Sequence, residues 1–154
     1  MAGAGAHPCS SLPSVTIEPG EVQPQPQTLY EAVGGEPTFR KIAGRFYEQV
    51  AIDEVLSPLY PEEEREAAEE RMRLFLMQRW GGPTTYTDMR GAPRLGMRHM
   101  PFRIGPKKRD AWLCAMRTAV DEAGLEEAHR DEIWAYFETV AWNLTTHADP
   151  SPRR

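Results

Sequence analysis

Apolar residues recur at three- and four-residue spacing through most of residues 28–147, and strand patterns are almost absent. This spacing puts apolar side chains on one face of an α-helix. Gly34-Gly35, Gly81-Gly82-Pro83 and Gly124 divide the stretch, and glycine and proline commonly end helices. The sequence therefore predicts an all-α chain of four long helices and two short ones.

The starts of these helices carry local signals. Thr28 followed by Glu31 is a capping-box pattern, which predicts a short first helix. A proline in the first turn of a helix is well tolerated, because the amide hydrogen it lacks would be unpaired there. Thr84–Pro93 is predicted as a loop, and Pro101 is predicted to stop the short helix that ends at His99. The long helices are predicted from Pro37, over Glu62–Trp80, from Pro106 to Gly124, and over about Glu126–His147.

Composition divides the chain into three parts. Residues 1–27 contain five of the 14 prolines, two acids and no Lys or Arg, and are predicted to form a disordered N-terminal extension. Residues 28–147 are predicted as one domain with room for a core and an enclosed ligand. Residues 148–154 are predicted to be a flexible C-terminus.

The same numbers exclude several classes of function. A formal net charge of −5 argues against nonspecific binding to nucleic acid. No apolar run is long enough for a membrane span, and the N-terminus has no signal-peptide pattern, so we expect a cytosolic protein. Cys9 and Cys114 are too few for a disulfide framework or a zinc site, and Cys114 is expected to be a small buried residue.

The segment Arg94–Ile104 surrounds one histidine, His99, with apolar residues and arginines. This setting suits an imidazole bound to a flat apolar group with negative charges at its edge, and a haem is such a group. Nε2 would then bind iron, and Nδ1–H would donate to an acceptor such as the carbonyl of Leu95, one turn back. The alternative is a partly buried histidine that only donates to a backbone carbonyl.

Three aromatic residues and several arginines have two interpretations each. Trp112 and Tyr47 lie on apolar helix faces, either as core residues or as hydrogen-bond donors to a bound ligand. Tyr60 lies between two prolines and is either a surface aromatic or an inward-pointing hydroxyl. Arg71 and Arg98 are either solvated or placed beside carboxylates, which guanidinium groups bind well.

From Leu29 to about Leu144 the chain resembles a bacterial group II truncated haemoglobin. The resemblance covers about three-quarters of the sequence, in the same order and spacing. It rests on Leu29–Gly35, Arg45-Phe46-Tyr47, Asp53–Leu56, Tyr60-Pro61-Glu62, Ala68–Leu76, Trp80–Pro83, His99–Ile104 and Arg109–Leu113.

This resemblance implies a two-over-two α-helical sandwich that holds one haem b. It implies His99 as the ligand on the proximal side of the iron, and Tyr47, Tyr60 and Trp112 around the ligand on the distal side. Ala68 stands where vertebrate globins carry a distal histidine. Met72 replaces a usual leucine, and Gly96 stands where close relatives often carry arginine. The expected cofactor contacts are Ala68, Arg71, Met72, Phe75, Leu76, Tyr86, Leu95, Arg98, Phe102, Ile104 and Met116.

Three functional hypotheses follow from the sequence. The first is a haem protein that binds O₂ tightly and carries out redox chemistry, as a peroxidase-like enzyme or a nitric oxide dioxygenase. The second is a gas-binding, sensing or storage module without turnover. The third is a helical interaction protein without haem. The expected small ligands are O₂, NO, CO or peroxide. A reductase is a possible partner, and the protein is expected to be a monomer or homodimer.

Overall fold

The computed structural model describes residues 27–149, and this part of the chain contains seven α-helices and no strand. The prediction of an all-α fold is therefore confirmed. Two short 3-10 turns, Ser57–Leu59 and Met100–Phe102, complete the regular structure. The helices are α1 (Leu29–Ala32), α2 (Glu36–Ile52), α3 (Glu62–Arg79), α4 (Thr85–Arg90), α5 (Leu95–His99), α6 (Pro106–Asp121) and α7 (Glu127–Asn143).

Two pairs of long helices form the body of the domain. Helix α2 packs against α3, helix α6 packs against α7, and α2 also packs against α6, which joins the two pairs. This is the predicted two-over-two sandwich. Its centre is a set of fully or almost fully buried side chains from the four long helices, among them Phe39, Ile42, Phe46, Val50, Leu76, Met116, Val120 and Ile133.

The start of the fold follows the local signals in the sequence. The side-chain oxygen of Thr28 accepts a hydrogen bond from the Glu31 amide at 3.2 Å, as a helix cap does. The Tyr30 amide donates to the Trp80 carbonyl at 2.9 Å, which ties α1 to the end of α3. Gly82 makes this contact possible, because a Cβ atom there would lie 2.8 Å from the Met77 carbonyl oxygen.

Two predictions were wrong in detail. The segment Thr84–Pro93 is not all loop, because Thr85–Arg90 forms α4. Cys114 is exposed on α6 and is neither a core nor a subsurface residue. The predicted end of the His99 helix is confirmed, since α5 ends at His99 and Pro101 lies in the separate 3-10 turn Met100–Phe102 that follows.

The predicted extension, residues 1–27, lies outside the described residues except for its last position, and so does the C-terminus beyond residue 149. The described end of the chain contacts the domain. The amides of Thr146 and His147 donate to the Ile104 carbonyl at 3.0 and 3.1 Å. The Asp149 carboxylate accepts from the Lys107 amide at 3.1 Å in the first turn of α6. The three domain boundaries stay predictions.

Candidate functional site

A cavity of about 540 Å³ lies inside the sandwich and is lined by side chains from every helix except α1. Such a volume is within the usual range for a site that holds a cofactor or small molecule. Most of the wall is apolar, formed by residues such as Leu56, Phe75, Leu76 and Phe137. The polar side chains on the wall decide its chemistry.

One polar group is the imidazole of His99, at the end of α5. Its Nδ1 lies 2.7 Å from the carbonyl oxygen of Leu95, as predicted. Because a carbonyl oxygen only accepts, Nδ1 carries the hydrogen and donates it. The lone pair of the neutral ring is then on Nε2, which forms no hydrogen bond with residues 27–149. His99 therefore lies on the cavity wall with a ring nitrogen that has no partner among these residues.

A second group consists of aromatic side chains clustered around Phe46 in α2. The Phe46 ring centre lies 5.0 Å from that of Tyr47, 6.5 Å from that of Tyr60 and 5.4 Å from that of Trp112. Tyr47 and Tyr60 are edge-to-face at 5.4 Å. The structure thus brings together Tyr47, Tyr60 and Trp112, which come from three separate elements, and Tyr60 is not a surface aromatic.

Both tyrosine hydroxyls are held in their neutral form. Burial raises the pKa of Tyr47 far above its ordinary value, the neighbouring Tyr60 raises it further, and the charge of Arg71 acts in the opposite direction. Burial also raises the pKa of Tyr60, while Trp112, a hydrogen-bond donor, acts to lower it. Two hydroxyls and an indole N–H therefore line the cavity as potential donors to a ligand.

Positive side chains also reach the cavity. Arg71, Arg90, Arg98, Lys108 and Arg109 contribute to its lining, with Glu64 as an acidic side chain in the same wall. Two backbone carbonyls hold Arg98, since its Nε donates to the Pro93 oxygen at 2.8 Å and its Nη2 to the Arg90 oxygen at 3.1 Å. This part of the wall suits a ligand with carboxylates.

The structure brings almost all of the predicted contact residues to this cavity. The exception is Met116, which is fully buried in the core and does not line the cavity. Its contact with a cofactor stays a prediction. The predicted residues on the wall are Tyr47, Tyr60, Ala68, Arg71, Met72, Phe75, Leu76, Tyr86, Leu95, Arg98, His99, Phe102, Ile104 and Trp112.

Sequence reasoning missed three parts of the wall, the first being Leu56, Leu59 and Glu64 between α2 and the start of α3. The second is the inward face of α7, where Tyr136, Phe137, Val140, Ala141 and Leu144 line the cavity. The helical spacing of these residues marked them as inward, but it did not separate cavity from core. The third is Arg90, Lys108 and Arg109, which no sequence pattern distinguishes from other charged residues.

These observations can be set beside known proteins. The sequence profile of the bacterial-like globin family matches residues 28–146. The chain belongs to this family. The globin is 36% identical over 124 residues to the group 2 truncated hemoglobin YjbI of Bacillus subtilis, covering 80% of this chain and 92% of that protein.

Solved structures of related proteins have the same fold. A thermostable hemoglobin from the actinobacterium Thermobifida fusca is 55% identical, with a TM-score of 0.76 and coverage of 78% of this chain and 98% of that one. The hemoglobin of the thermophilic phototrophic bacterium Chloroflexus aurantiacus is 48% identical, with a TM-score of 0.76 and coverage of 79% and 99%. The chain is therefore a truncated haemoglobin, a haem protein that binds small gas ligands such as O₂.

The residues present fit a haem. A globin haem needs one protein ligand to iron, an apolar slot for the macrocycle and partners for two propionates. The cavity offers the His99 imidazole with its tautomer fixed, an apolar wall, and arginines in that wall. Within residues 27–149, no cluster of three or more His, Cys, Asp or Glu side chains could bind a bare metal ion. No helix in this part is long and apolar enough to cross a membrane.

Proposed function

We propose that this globin holds a haem b through Nε2 of His99 and binds O₂ tightly enough to serve redox chemistry on small ligands. The observation that carries the proposal is the cavity wall itself. It combines an imidazole of fixed tautomer with three neutral hydrogen-bond donors that face the same space. The haem would supply the iron that binds the diatomic ligand and changes oxidation state.

The hydroxyls of Tyr47 and Tyr60 and the indole N–H of Trp112 would donate to negative charge on the ligand. A hydrogen bond to a charged group contributes about 1.5–3 kcal/mol, so each donor would slow ligand loss roughly 10- to 100-fold. Ala68 cannot provide a distal imidazole, so these three donors are the candidates for this role. Slow release suits chemistry on the ligand better than oxygen delivery.

The arginines would hold the propionates. Arg71 lies on α3 in the wall next to Met72, and Arg98 immediately precedes His99. The two carbonyl contacts of Arg98 fix its guanidinium while leaving further N–H groups for a carboxylate. Met72 is flexible and would adapt its thioether to the macrocycle edge.

The proposed redox activity is peroxidase-like or that of a nitric oxide dioxygenase. A reaction of O₂ with NO to give nitrate, or cleavage of peroxide, would use the same three donors. The second candidate function is gas binding, sensing or storage without turnover. It is favoured by the relative from Bacillus subtilis, 36% identical, whose structure is described as an oxygen-avid truncated haemoglobin.

The test is spectroscopic and then kinetic. Haemin added to the purified protein should give a Soret band and a pyridine haemochrome typical of haem b, and CO should shift the band of the reduced form. Turnover of peroxide or of NO under O₂ would support the enzyme, whereas tight O₂ binding without turnover would support the binding module. No Soret band would refute both and leave a helical protein without haem. A reductase partner, a monomeric or dimeric state and a cytosolic location stay predictions.

A further inference from the structure

The charges of this globin are strongly segregated along the chain. Residues 89–109, here called the basic face, contain seven Lys or Arg residues and no acid. The remainder of the chain has 11 basic and 23 acidic residues. The formal net charge of the whole chain is −5, yet positive charge is concentrated in this one segment. Its exposed or half-exposed cations are Arg90, Arg94, Arg98, Arg103, Lys107 and Lys108. The Arg109 side chain is only 10% exposed and is paired with Asp110 at 3.0 Å, and the Asp149 carboxylate lies on the Lys107 amide at 3.1 Å.

The basic face also exposes large apolar side chains. Met97 and Met100 are 64% and 66% exposed, and Met89 is 68% exposed. Isolated exposed apolar residues are common, but several of them within one cationic segment are typical of an interaction surface. Methionine side chains are flexible and adapt to different partner surfaces, which suits a transient contact.

Two arginines of this face occupy costly backbone conformations. Arg94 has φ 45° and Arg103 has φ 47°, and no other non-glycine residue in the described part of the chain has a positive φ. Glycine or asparagine would adopt this region at lower cost. The two residues bracket α5 and the following 3-10 turn, and both side chains are solvent-exposed. A charged side chain thus stands at two places where the backbone favours another residue.

The basic face is also the rim of the cavity. Phe102 lines the cavity and is still 39% exposed, and its ring centre lies 6.1 Å from that of His99. Arg90 is exposed and lines the cavity as well. A protein bound on this face would therefore have its own redox group close to the group held by His99.

We propose that the basic face docks an acidic electron-transfer protein of the flavodoxin type, which reduces the ferric globin. This inference rests on the haem proposed above. One electron would pass from the anionic reduced flavin to ferric iron, leaving a neutral flavin radical and ferrous iron, and no atom or proton is exchanged. Opposite charges on the two surfaces accelerate such encounters, and salt screens them.

A triple variant removes charge from the basic face without touching the cavity wall. Arg94→Asn and Arg103→Asn keep a residue that tolerates positive φ, and Lys107→Gln removes a third cation. The control variant Arg40→Gln/Lys41→Gln/Arg117→Gln makes the same charge change on α2 and α6. The probe is an acidic flavodoxin kept reduced under anaerobic conditions, mixed with the ferric full-length holoprotein in a stopped-flow instrument.

The wild-type second-order rate constant should fall steeply as salt rises. At low ionic strength the basic-face variant should be reduced at least about ten-fold more slowly than wild type. The control should stay within about two-fold of wild type, and the three proteins should converge at high salt. Equal rates for the two variants, or rates independent of salt, would overturn the proposal.

Binding without electron transfer separates this inference from the haem assignment. Oxidised flavodoxin titrated into ¹⁵N-labelled protein should shift amide signals of Met97, Met100 and Phe102, and the basic-face variant should lose these shifts. If flavodoxin causes these shifts but the protein does not bind haem, the haem proposal is refuted while the docking surface is supported. A membrane surface is the competing occupant of the basic face, and vesicles containing anionic phospholipid test for it. Vesicle binding that the variant abolishes, with no flavodoxin shifts, would assign the face to a membrane surface and refute the proposal.

Discussion

Nδ1 of His99 donates its hydrogen to the carbonyl oxygen of Leu95 across 2.7 Å. One helical turn within α5 thus fixes both the tautomer and the orientation of the ring. The acceptor is backbone, so its position depends on the helix and not on the identity of residue 95. The next turn, Met100–Phe102, places Phe102 beside the same ring.

His99→Gly is expected to abolish axial coordination by the protein. The cavity would keep its apolar wall, so haem would still enter it, but with a spectrum lacking imidazole coordination. Added imidazole should restore the wild-type Soret and visible bands, because the vacated space admits the free ring. His129→Gly, on α7 and outside the cavity wall, is the matched control and should leave the spectrum unchanged. Normal coordination in His99→Gly would contradict the ligand assignment.

Trp112→Phe is expected to increase the O₂ dissociation rate about 10- to 100-fold, because the indole N–H is lost while a flat ring remains in the aromatic cluster. Stopped-flow displacement of O₂ by CO measures this rate. Trp134→Phe on α7 is the control, since Trp134 contacts Arg117 and does not line the cavity. If both variants released O₂ at the wild-type rate, the proposed role of Trp112 would be wrong.

The buried tyrosines predict a loss of stability in alkali. Burial raises the pKa of Tyr47 and Tyr60 in the folded protein, so the neutral hydroxyl is favoured there. Above the unfolded pKa of about 10, unfolding releases these protons, and stability falls as pH rises. The slope approaches about 1.4 kcal/mol per pH unit for each tyrosine. Below a pH of about 10 both tyrosines are protonated in the folded and the unfolded protein, so they make the stability neither rise nor fall with pH.

Urea unfolding at a series of pH values from 8 to about 11 measures this loss. The double variant Tyr47→Phe/Tyr60→Phe should show a shallower decline than wild type. Trp134→Phe, which removes no ionisable group and lies outside the cavity wall, should decline as wild type does. An identical slope in the double variant would mean that these hydroxyls titrate normally. The same pKa shifts keep both groups protonated, and thus able to donate, throughout neutral and mildly alkaline pH.

Phe39→Ala is expected to destabilise the fold by about 3–5 kcal/mol, the usual cost of removing a buried phenylalanine. Phe39 is fully buried, and its ring stacks between Tyr30 at 5.8 Å and Trp80 at 5.9 Å. It therefore joins α1, α2 and the end of α3. Chemical denaturation measures the change, and Phe39→Leu should recover most of the stability because it refills much of the volume. A loss below about 1 kcal/mol would show that the neighbouring rings collapse into the space.

The sequence predicted the long helices because each presents an apolar face at helical spacing, and glycine follows the ends of α3 and α6. Helix α4 was missed for a physical reason. It has only six residues, fewer than two helical turns, so no apolar spacing can repeat along it. Its position is instead fixed by tertiary contacts, since Gln78 on α3 bonds both the amide and the hydroxyl of Thr87.

The site was predicted in a similarly uneven way. The His99–Leu95 hydrogen bond follows from helix geometry alone, so it could be predicted from the positions of these two residues in the sequence. The meeting of Tyr47, Tyr60 and Trp112 depends on how three elements pack, and only the family resemblance could indicate it. Neither helix geometry nor the family resemblance identified the part of the wall formed by Arg90, Lys108 and Arg109. Charged residues show no sequence pattern that distinguishes a cavity rim from a solvated surface.

Two glycines should respond in opposite ways to alanine. At Gly82 a Cβ atom would lie 2.7 Å from the Tyr30 ring and 2.8 Å from the Met77 carbonyl oxygen, closer than contact distance. Gly82→Ala should therefore separate α1 from the end of α3 and cost about 1–3 kcal/mol. Gly96 lies inside α5, and a Cβ atom there would have no neighbour within 4 Å. Gly96→Ala should stabilise α5 by about 0.5–1 kcal/mol, because glycine in a helix loses more backbone entropy than alanine.

Thermal unfolding of the two alanine variants, each with and without haemin, separates the effects. Gly82→Ala should lower the midpoint equally in both conditions, since the contact it disturbs lies at the α1–α3 junction and not on the cavity wall. Gly96→Ala should raise the midpoint more with haemin than without it, because a firmer α5 holds the His99 ring in position for its ligand. A Gly96→Ala variant that binds haemin more weakly than wild type would instead show that the site requires the conformational freedom of this glycine.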